Sequence, residues 1–382
     1  MKKLINRMDK PLLIVTIIMF LFGLLMVFSA SNVRAALFGN PYSIFFKHAI
    51  ILFICSIASI FIIVTPIKKY RSLAPFALYC IIGALIFVFS YGAVINSARR
   101  WLDFGFFHFQ PSEFAKTIII FYMAIYYGKH YKSDSYVVLY KPILYAFAIV
   151  ILTFLQPDFG TSCIIMGIVT FTFLAVPITP QIKRKAFQIG IGAIILFAFI
   201  LVLNDKPLFR QSQLDRLTFL NPCQRYRENT GYQVCNGFIA INNGGLLGVG
   251  LGNSTQKYLY LPAAHTDFIF PVIVEELGLL IGIIIILIFV FIFYRLLKIA
   301  NHCYSLSGSI IVYGVAMYFI FHVLVNLVGV LGLFPLTGAP LPFLSYGGSY
   351  VLNLSIALAL VQRVEIENKL KIKEKILKQG KR

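Results

Sequence analysis

Charged residues are scarce in this sequence. They occupy 13% of its 382 positions and only 14 of them are acidic, whereas hydrophobic residues make up 59%. Soluble domains carry a much larger charged share, so this balance excludes an ordinary soluble protein and indicates a polytopic membrane protein. The sequence also lacks the motifs of soluble ATPases and redox enzymes, and no convincing internal repeat supports an inverted-repeat transporter.

Apolar runs of about 18 residues recur along the chain, each long enough to cross a hydrocarbon core of roughly 30 Å. We predict an all-α polytopic fold of about ten transmembrane helices, with a large external loop between helices 7 and 8. The link Gln156–Asp158 is so tight that the fifth and sixth segments could instead form a re-entrant hairpin. The ten predicted segments are 11–31, 44–65, 73–91, 111–128, 142–156, 158–177, 186–204, 268–294, 307–331 and 345–362.

The net charge of +20 has a regular distribution. Lys and Arg cluster on every second loop and at both termini, which is the positive-inside pattern and predicts that both termini are cytoplasmic. No folded domain carries this charge, so a nucleic-acid partner is not expected. Residues 1–362 are predicted to form one transmembrane domain, and residues 363–382 a basic cytoplasmic tail. Within the tail, Lys369–Lys378 would lie against anionic membrane lipids as a short amphipathic helix.

Four external loops follow from this topology: Gly92–Gln110, Gln156–Asp158, 204–267 and Gly332–Leu344. The third is about 64 residues long, and loops of that length tend to be functional. It holds Cys223 and Cys235, for which a disulfide and two free thiols remain equally open. Its glycine-rich section lacks the spacing of a nucleotide loop, so an amphipathic interfacial helix followed by turns is favoured and no nucleotide is expected.

Two adjacent arginines on the first external loop depart from the positive-inside trend. Arg99 and Arg100 could grip a phosphate or pyrophosphate bidentately, or could contact lipid headgroups. The neighbouring Trp101 suits either a substrate site or an interfacial anchor.

Ionisable residues also lie at the external ends of two predicted helices. Glu113 and Lys116 are three residues apart on one helix face, so they form either a structural ion pair or part of a polar cavity. Asp158 directly precedes a helix, where it would cap the N-terminus or face the same cavity.

The segment LYLPAAHTDFIFPVIVEELG places three acids at the start of a long apolar run. Asp267, preceded by His265 and Thr266, lies at the membrane boundary, where partial desolvation would raise the pKa of a carboxyl towards that of a general base. Asp267 could equally coordinate a divalent cation. Glu275 and Glu276 lie about two turns deeper, where at least one must face protein or water. These residues indicate a membrane enzyme or transporter that handles an anionic, lipid-borne substrate.

Seven segments together resemble the SEDS family (shape, elongation, division and sporulation; FtsW/RodA type), in order and spacing over nearly the whole chain. They are GLLMVFSAS at 23–31, ARRWLDFGFFHFQPSEFAK at 98–116, QPDFGTS at 156–162, GYQVCNGFIAINNGGLLGVGLGNSTQKYLYLP at 231–262, AHTDFIF at 264–270, EELG at 275–278 and PLPFLSYGGS at 340–349. The resemblance implies a ten-span peptidoglycan glycosyltransferase of the bacterial cytoplasmic membrane. Such an enzyme polymerises lipid II on the external face together with a class B penicillin-binding protein and other divisome or elongasome membrane proteins.

The resemblance also assigns roles to residues. Asp267 matches the family's essential aspartate, which would act as the base or hold a cation such as Mg²⁺ or Mn²⁺, with Glu113, Lys116 and Asp158 beside it as further catalytic residues. The predicted substrate-binding residues are Arg99, Arg100, Trp101, Gln256, Lys257, His265, Thr266 and Ser345.

QKYLYLP before the aspartate resembles the division-type branch of the family more than the elongation-type branch. Departures from the family pattern occur at Ala263, Asn242-Asn243, Pro271 and Tyr350, and they bear on branch and partner more than on chemistry. A lipid II flippase and a non-enzymatic division scaffold are the alternative functions.

Overall fold

The computed structural model describes residues 2–37, 39–95, 98–105, 108–133, 135–203, 220–225, 229–258 and 260–379. Part of the predicted loop 204–267 and the last three residues of the predicted tail lie outside this set. The helices in the described part of the chain are α1 Lys2–Ile5, α2 Lys10–Ala36, α3 Ser43–Val64, α4 Ile67–Arg71, α5 Ala74–Tyr91, α6 Pro111–His130, α7 Tyr136–Leu155, α8 Phe159–Ala175, α9 Pro180–Leu203, α10 Asn229–Gly244, α11 Ile269–Asn301, α12 Leu306–Val330 and α13 Gly348–Gln379.

A helix occupies each of the ten segments predicted to cross the membrane. By length and composition, seven of the described helices could do so, namely α2, α3, α5, α7, α11, α12 and α13. The predicted helical membrane class is therefore confirmed, while the number of crossings stays a prediction. The fifth and sixth segments form helices of 20 and 17 residues, α7 and α8.

The centre of the bundle is formed by α12, which packs against α6, α8, α11 and α13. Most of α12 and α13 is buried, whereas α3 is mostly exposed. Large apolar side chains such as Phe53 and Phe61 point outward from α3. A helix that is apolar on its outer face is stable only against lipid or another protein, so these surfaces indicate the lipid boundary.

The first predicted external loop is not irregular throughout. It contains a small antiparallel sheet of β1 Ala93–Ile95, β2 Ala98–Asp103 and β3 His108–Phe109, in the order β1-β2-β3. The pairing sets Trp101 opposite Ala93, and Leu102 opposite Phe109. This sheet fixes the chain just before α6, although its strands are too short to be recognised from alternation in the sequence.

The long helix α11 is broken at Gly278, which has a positive φ of 86°. The glycine-rich turns after α10 fill this break, because Val249 N donates to Glu275 O and Leu279 N donates to Gly245 O, both at 2.9 Å. A Cβ atom on Gly278 would lie 2.2 Å from the carbonyl oxygen of Leu246, so no other residue fits here. The glycines thus satisfy the main-chain groups that the break exposes, and the prediction of a helix followed by turns is confirmed.

The two cysteines of the predicted third external loop form a disulfide. Cys223 and Cys235 are joined with a Cα–Cα distance of 4.9 Å, which attaches the 220–225 segment to α10. The sequence left open a disulfide or two free thiols, and the structure contains the disulfide.

At the opposite end of the bundle, α13 continues past residue 362 and joins three segments of the chain. Gln362 exchanges two hydrogen bonds with the main chain of Asp9, at 2.8 and 3.1 Å. Arg363 donates to main-chain oxygens at the end of α3, and Asn368 binds the main chain between α11 and α12. The tail is a continuation of α13 rather than a separate helix, and its first turns are packed.

Two truncations should therefore behave differently. Removing residues 371–382, whose described side chains are exposed, should leave the free energy of unfolding within about 0.5 kcal/mol. Removing 362–382 should cost several kcal/mol, at about 1 kcal/mol for each lost hydrogen bond. Thermal unfolding of the purified proteins in detergent measures this difference. Equal melting temperatures for the two truncations would show that the contacts of residues 362–369 contribute nothing.

Candidate functional site

The first turn of α6 holds a buried charged pair. Pro111 fits the first helical turn, where its missing N–H has no partner to lose. Glu113 then lies one turn before Lys116, and Glu113 Oε1 accepts from Lys116 Nζ at 2.8 Å. Both side chains are buried, with exposed fractions of 3% and 0%. The predicted pair is therefore present and is enclosed by protein.

A third group completes the surroundings of the Lys116 ammonium. His322 Nε2, on α12, lies 2.8 Å from Lys116 Nζ, and the aromatic rings of Tyr318 and Tyr350 lie 5.5 and 5.9 Å away. A buried cation is tolerated only with such partners, because desolvation is costly. The ammonium is thus held at a fixed point between α6, α12 and α13.

Asp158 belongs to a polar cluster at the start of α8 and takes the capping role, one of the two that the sequence left open. It caps α8 by accepting from Thr161 N at 3.4 Å, and it accepts from Gln110 Nε2 at 3.1 Å. Arg100 Nη1 lies 3.5 Å from Asp158 Oδ1, and the same guanidinium donates to Pro157 O. The β2 strand is thereby attached to the start of α8.

The two adjacent arginines of β2 have different environments. Arg100 is partly enclosed by Asp158, and its guanidinium lies 6.0 Å from the ring of Trp101. Arg99 is exposed and donates to Ser90 O at 3.2 Å. Of these two arginines, Arg99 is therefore the one with an exposed guanidinium that an incoming anion could reach.

Asp267 lies directly before α11, partly exposed, and its position is set by hydrogen bonds. Thr266 Oγ1 donates to Asp267 Oδ1 at 2.9 Å, and Asn326 Nδ2 donates to the main-chain oxygen of Asp267 at 2.8 Å. A Cβ atom built on Gly338 would lie 3.6 Å from Asp267 Oδ2, so the loop before α13 runs alongside the carboxylate.

That loop, residues 332–347, joins the aspartate to the rest of the site. Ser345 Oγ donates to Thr266 O at 2.6 Å, and Tyr346 N donates to His265 O at 2.9 Å. At its other side, Thr337 lies so close to Gly160 of α8 that a Cβ there would be 2.6 Å from Thr337 Cβ. The loop thus lies between the Asp158 cluster and Asp267, with Ser345 as its anchor.

Glu275 is a structural carboxylate. It is fully buried and accepts from Thr255 N at 3.2 Å, from Gln256 N at 3.3 Å, and from the hydroxyl of Ser254. Hydrogen bonds from several main-chain N–H groups stabilise a buried carboxylate without a counter-ion. Glu275 therefore organises the 254–256 turn.

Glu276 forms the second buried ion pair of this end. Its Oε1 accepts from Lys257 Nζ at 2.8 Å, and Ser29 Oγ of α2 donates to the same carboxylate at 2.7 Å. Both charged side chains have no exposed surface. The predicted substrate-binding residues Gln256 and Lys257 thus belong to this neighbourhood of α11, where Lys257 already has a carboxylate partner.

His265 lies near the end of α2, beside Arg34. Burial, together with the positive charge of Arg34, lowers the pKa of His265 to about 4, so its ring is neutral at physiological pH. A cavity of about 200 Å³ lies here, and Arg34, Lys257 and His265 contribute to its lining. Any group bound here would meet a neutral imidazole rather than an imidazolium.

The structure places the predicted site residues at one end of the bundle, with Arg99 on β2 as the exposed member beside Arg100 and Trp101. It also adds two that sequence reasoning missed, His322 and Asn326. Both are polar residues within an apolar helical segment, a pattern that indicates function in membrane proteins and that could have identified them.

A bundle with this many apolar helices and a polar site at one end defines a multi-pass membrane protein. The sequence model of the cell cycle protein family that comprises FtsW, RodA and SpoVE matches residues 10–370. The chain belongs to this family.

Two individual relatives support the same family assignment. The chain is 33% identical to the probable peptidoglycan glycosyltransferase FtsW of Bacillus subtilis, over all of this chain and 97% of that protein. It is 35% identical to the probable peptidoglycan glycosyltransferase FtsW of Coxiella burnetii, over 94% and 96% of the two chains.

Solved structures share the fold. A chain from a peptidoglycan synthase complex that coordinates polymerization and crosslinking is similar with a TM-score of 0.74 at 23% identity, covering 94% of this chain and 98% of that one. The rod shape determining protein RodA of Thermus thermophilus is similar with a TM-score of 0.68 at 23% identity, covering 94% and 97%.

Proposed function

We propose that this protein is a peptidoglycan glycosyltransferase that polymerises lipid II during cell division, in the cytoplasmic membrane of a bacterium. The observation that carries the proposal is the placement of Asp267. This partly exposed carboxylate lies just before α11, beside a loop whose Pro340 O faces His322, the partner of Lys116. The relatives named as probable peptidoglycan glycosyltransferases support the same chemistry.

In the proposed reaction, Asp267 accepts the proton from the 4-hydroxyl of the acceptor sugar. The resulting oxygen attacks the anomeric carbon of the donor as the bond from that carbon to the pyrophosphate breaks. Undecaprenyl pyrophosphate leaves with the bonding electrons, and the configuration at the anomeric carbon inverts. Partial exposure at the start of α11 suits a carboxylate that must meet a sugar hydroxyl and take up its proton, and the hydrogen bond from Thr266 Oγ1 helps to fix its position.

Positive charge near the leaving group assists this step. Arg99 is exposed on β2 and would offset the charge that develops on the pyrophosphate. Arg100, attached to Asp158, would hold β2 in place and so position Arg99 and Trp101.

A divalent cation fits this site as a partner of the substrate. Among the described residues, no group of three or more His, Cys, Asp or Glu side chains surrounds Asp267 or any other point. Mg²⁺ often takes one or two carboxylates and completes its shell with water and substrate phosphates. Asp267 would hold such an ion, which would supply charge stabilisation to the pyrophosphate. The donor is already activated, so the proposal requires no nucleotide.

The proposed orientation has ten crossings, both termini in the cytoplasm, and Asp267 on the external side. The basic clusters support it, and the end of α13 contacts the segment before α2. A class B penicillin-binding protein is the proposed partner, supported by the similarity to a chain of a polymerization and crosslinking complex.

The test is reconstitution of the purified protein with a class B penicillin-binding protein and fluorescently labelled lipid II. We expect glycan ladders on a gel. A folded, partner-bound protein that makes no polymer but moves lipid II between leaflets would instead support a flippase. A protein that does neither would support a scaffold.

A further inference from the structure

Two polar side chains lie on one face of the central helix α12. His322 and Asn326 are one turn apart and are 1% and 3% exposed. Polar groups inside a spanning helix are costly unless they are paired, so their contacts indicate what they do. Both point to the Asp267 end of the bundle.

Asn326 connects the start of α11 to the loop before α13. Its Nδ2 donates to Asp267 O and to Ala339 O, each at 2.8 Å. Both partners are carbonyl oxygens, which only accept, so the amide nitrogen must face them and both of its protons are used. The main chain of Asp267 is thereby held at a fixed distance from residue 339.

His322 connects the same loop to the buried pair on α6. Its Nε2 lies 2.8 Å from Lys116 Nζ, and its Nδ1 lies 3.4 Å from Pro340 O. An ammonium group only donates, so Nε2 accepts from Lys116 and the remaining ring proton is on Nδ1, directed at Pro340 O. The ring is therefore neutral, and it links the Lys116 ammonium to the main chain at residue 340.

From these contacts we infer that His322 and Asn326 form a brace, the α12 brace, that sets the position of Asp267 relative to Lys116. Adjacent residues 339 and 340 are each held by one member, and Asn326 also holds Asp267 itself. Neither side chain touches the reacting atoms, so both are positioning residues. The inference rests on the proposed function, since it assigns them to the same reaction.

The first test uses Asn326→Ala in the full-length protein with its penicillin-binding partner and labelled lipid II. Removing both hydrogen bonds lets the Asp267 carboxylate move, and small misplacements of a catalytic group are costly. We expect kcat to fall about 10- to 100-fold, as for other supporting residues, with KM within about twofold.

The matched control is Asn368→Ala at the far end of the bundle. Asn368 also uses its side-chain amide to bridge main-chain groups, accepting from Tyr304 N at 2.7 Å and donating to His302 O at 2.9 Å. It should lose a similar amount of thermal stability while kcat stays unchanged. The inference would be overturned if Asn326→Ala kept the native kcat, or if Asn368→Ala lost as much kcat as Asn326→Ala.

A second pair of variants decides the matter if Asn326→Ala does not fold. His322→Gln keeps an acceptor for Lys116 and a donor for Pro340, whereas His322→Leu keeps neither. We expect Gln to retain most of kcat and Leu to lose about 10- to 100-fold. Similar activity in both would refute the brace. Polymer from Asp267→Asn would instead refute the proposed chemistry, so the two failures are distinguishable.

Discussion

Replacing Asp267 by Asn is expected to abolish glycan ladders while expression and partner binding persist. The amide has nearly the same shape, and its oxygen can still accept from Thr266 Oγ1, so the local fold is preserved. It cannot take up a proton or offer a negative charge to a cation. General-base catalysis contributes roughly 10²- to 10⁴-fold, so the rate of polymerisation should fall by about that factor or more. Gel analysis of labelled lipid II measures it.

A matched control is available on the neighbouring sheet. Asp103 is exposed and accepts from Gly105 N at 2.8 Å, and it lies 3.2 Å from His108. Asp103→Asn makes the same chemical change at the same end of the bundle and should leave polymerisation unchanged. Undiminished ladders from Asp267→Asn would eliminate both the base and the cation role.

Removal of divalent cations separates these two roles. If Asp267 acts only as a base, a chelator leaves the wild-type rate unchanged, because no step depends on an ion. If it holds a cation, the chelator stops the reaction and added Mg²⁺ or Mn²⁺ restores it. Either result is informative only alongside the Asp267→Asn variant, which loses activity in both cases.

Local patterns in the sequence predicted the helical segments and the pairing of Glu113 with Lys116. Apolar runs define spanning helices, because lipid leaves the main chain no partners outside the helix. A spacing of three residues fixes two side chains on one helix face. Each of these inferences needs only information within a few turns of chain.

Features that depend on distant contacts were not predictable in the same way. The break at Gly278 is stabilised by turns about 30 residues earlier, and the sequence shows only that both segments contain glycine. The contact of His322 with Lys116 spans 206 residues, and periodicity carries no information on such a pairing. The sequence placed Glu275 and Glu276 deeper than Asp267 but did not identify their partners. In the structure Glu276 is fully buried in an ion pair with Lys257, and Glu275 is fully buried among hydrogen-bond donors, while Asp267 is partly exposed.

Exchanging the charges of Glu113 and Lys116 on α6 distinguishes a purely structural ion pair from a pair whose individual side chains are needed for the reaction. A Glu113→Lys, Lys116→Glu double variant keeps opposite charges three residues apart, so the ion pair can re-form and the protein should fold. Single replacement of Lys116 by Met would instead leave Glu113 buried without a partner, at a cost of about 3–5 kcal/mol. The double variant should therefore have a higher melting temperature than the Lys116→Met variant, which thermal unfolding measures.

Activity should not recover in the double variant. His322 Nε2 accepts from Lys116 in the native protein, and a carboxylate at position 116 would face that lone pair. A ring that stays neutral would have to move its proton to Nε2 and give up its bond towards Pro340 O, which releases the loop beside Asp267. We expect kcat to stay about 100-fold or more below the native value.

The corresponding exchange on α13 serves as the control. Glu365 and Lys369 form an ion pair at 3.0 Å at the opposite end of α13 from the candidate site; Lys369 is partly exposed and Glu365 is buried. Exchanging their charges should leave polymerisation intact, because the exchange keeps opposite charges one turn apart and neither residue belongs to the candidate site. Full recovery in the α6 double variant would mean that Glu113 and Lys116 only hold the fold together. Persistent inactivity in a stable protein would support the proposal that an ammonium at position 116 orients His322 and, through it, the loop beside Asp267.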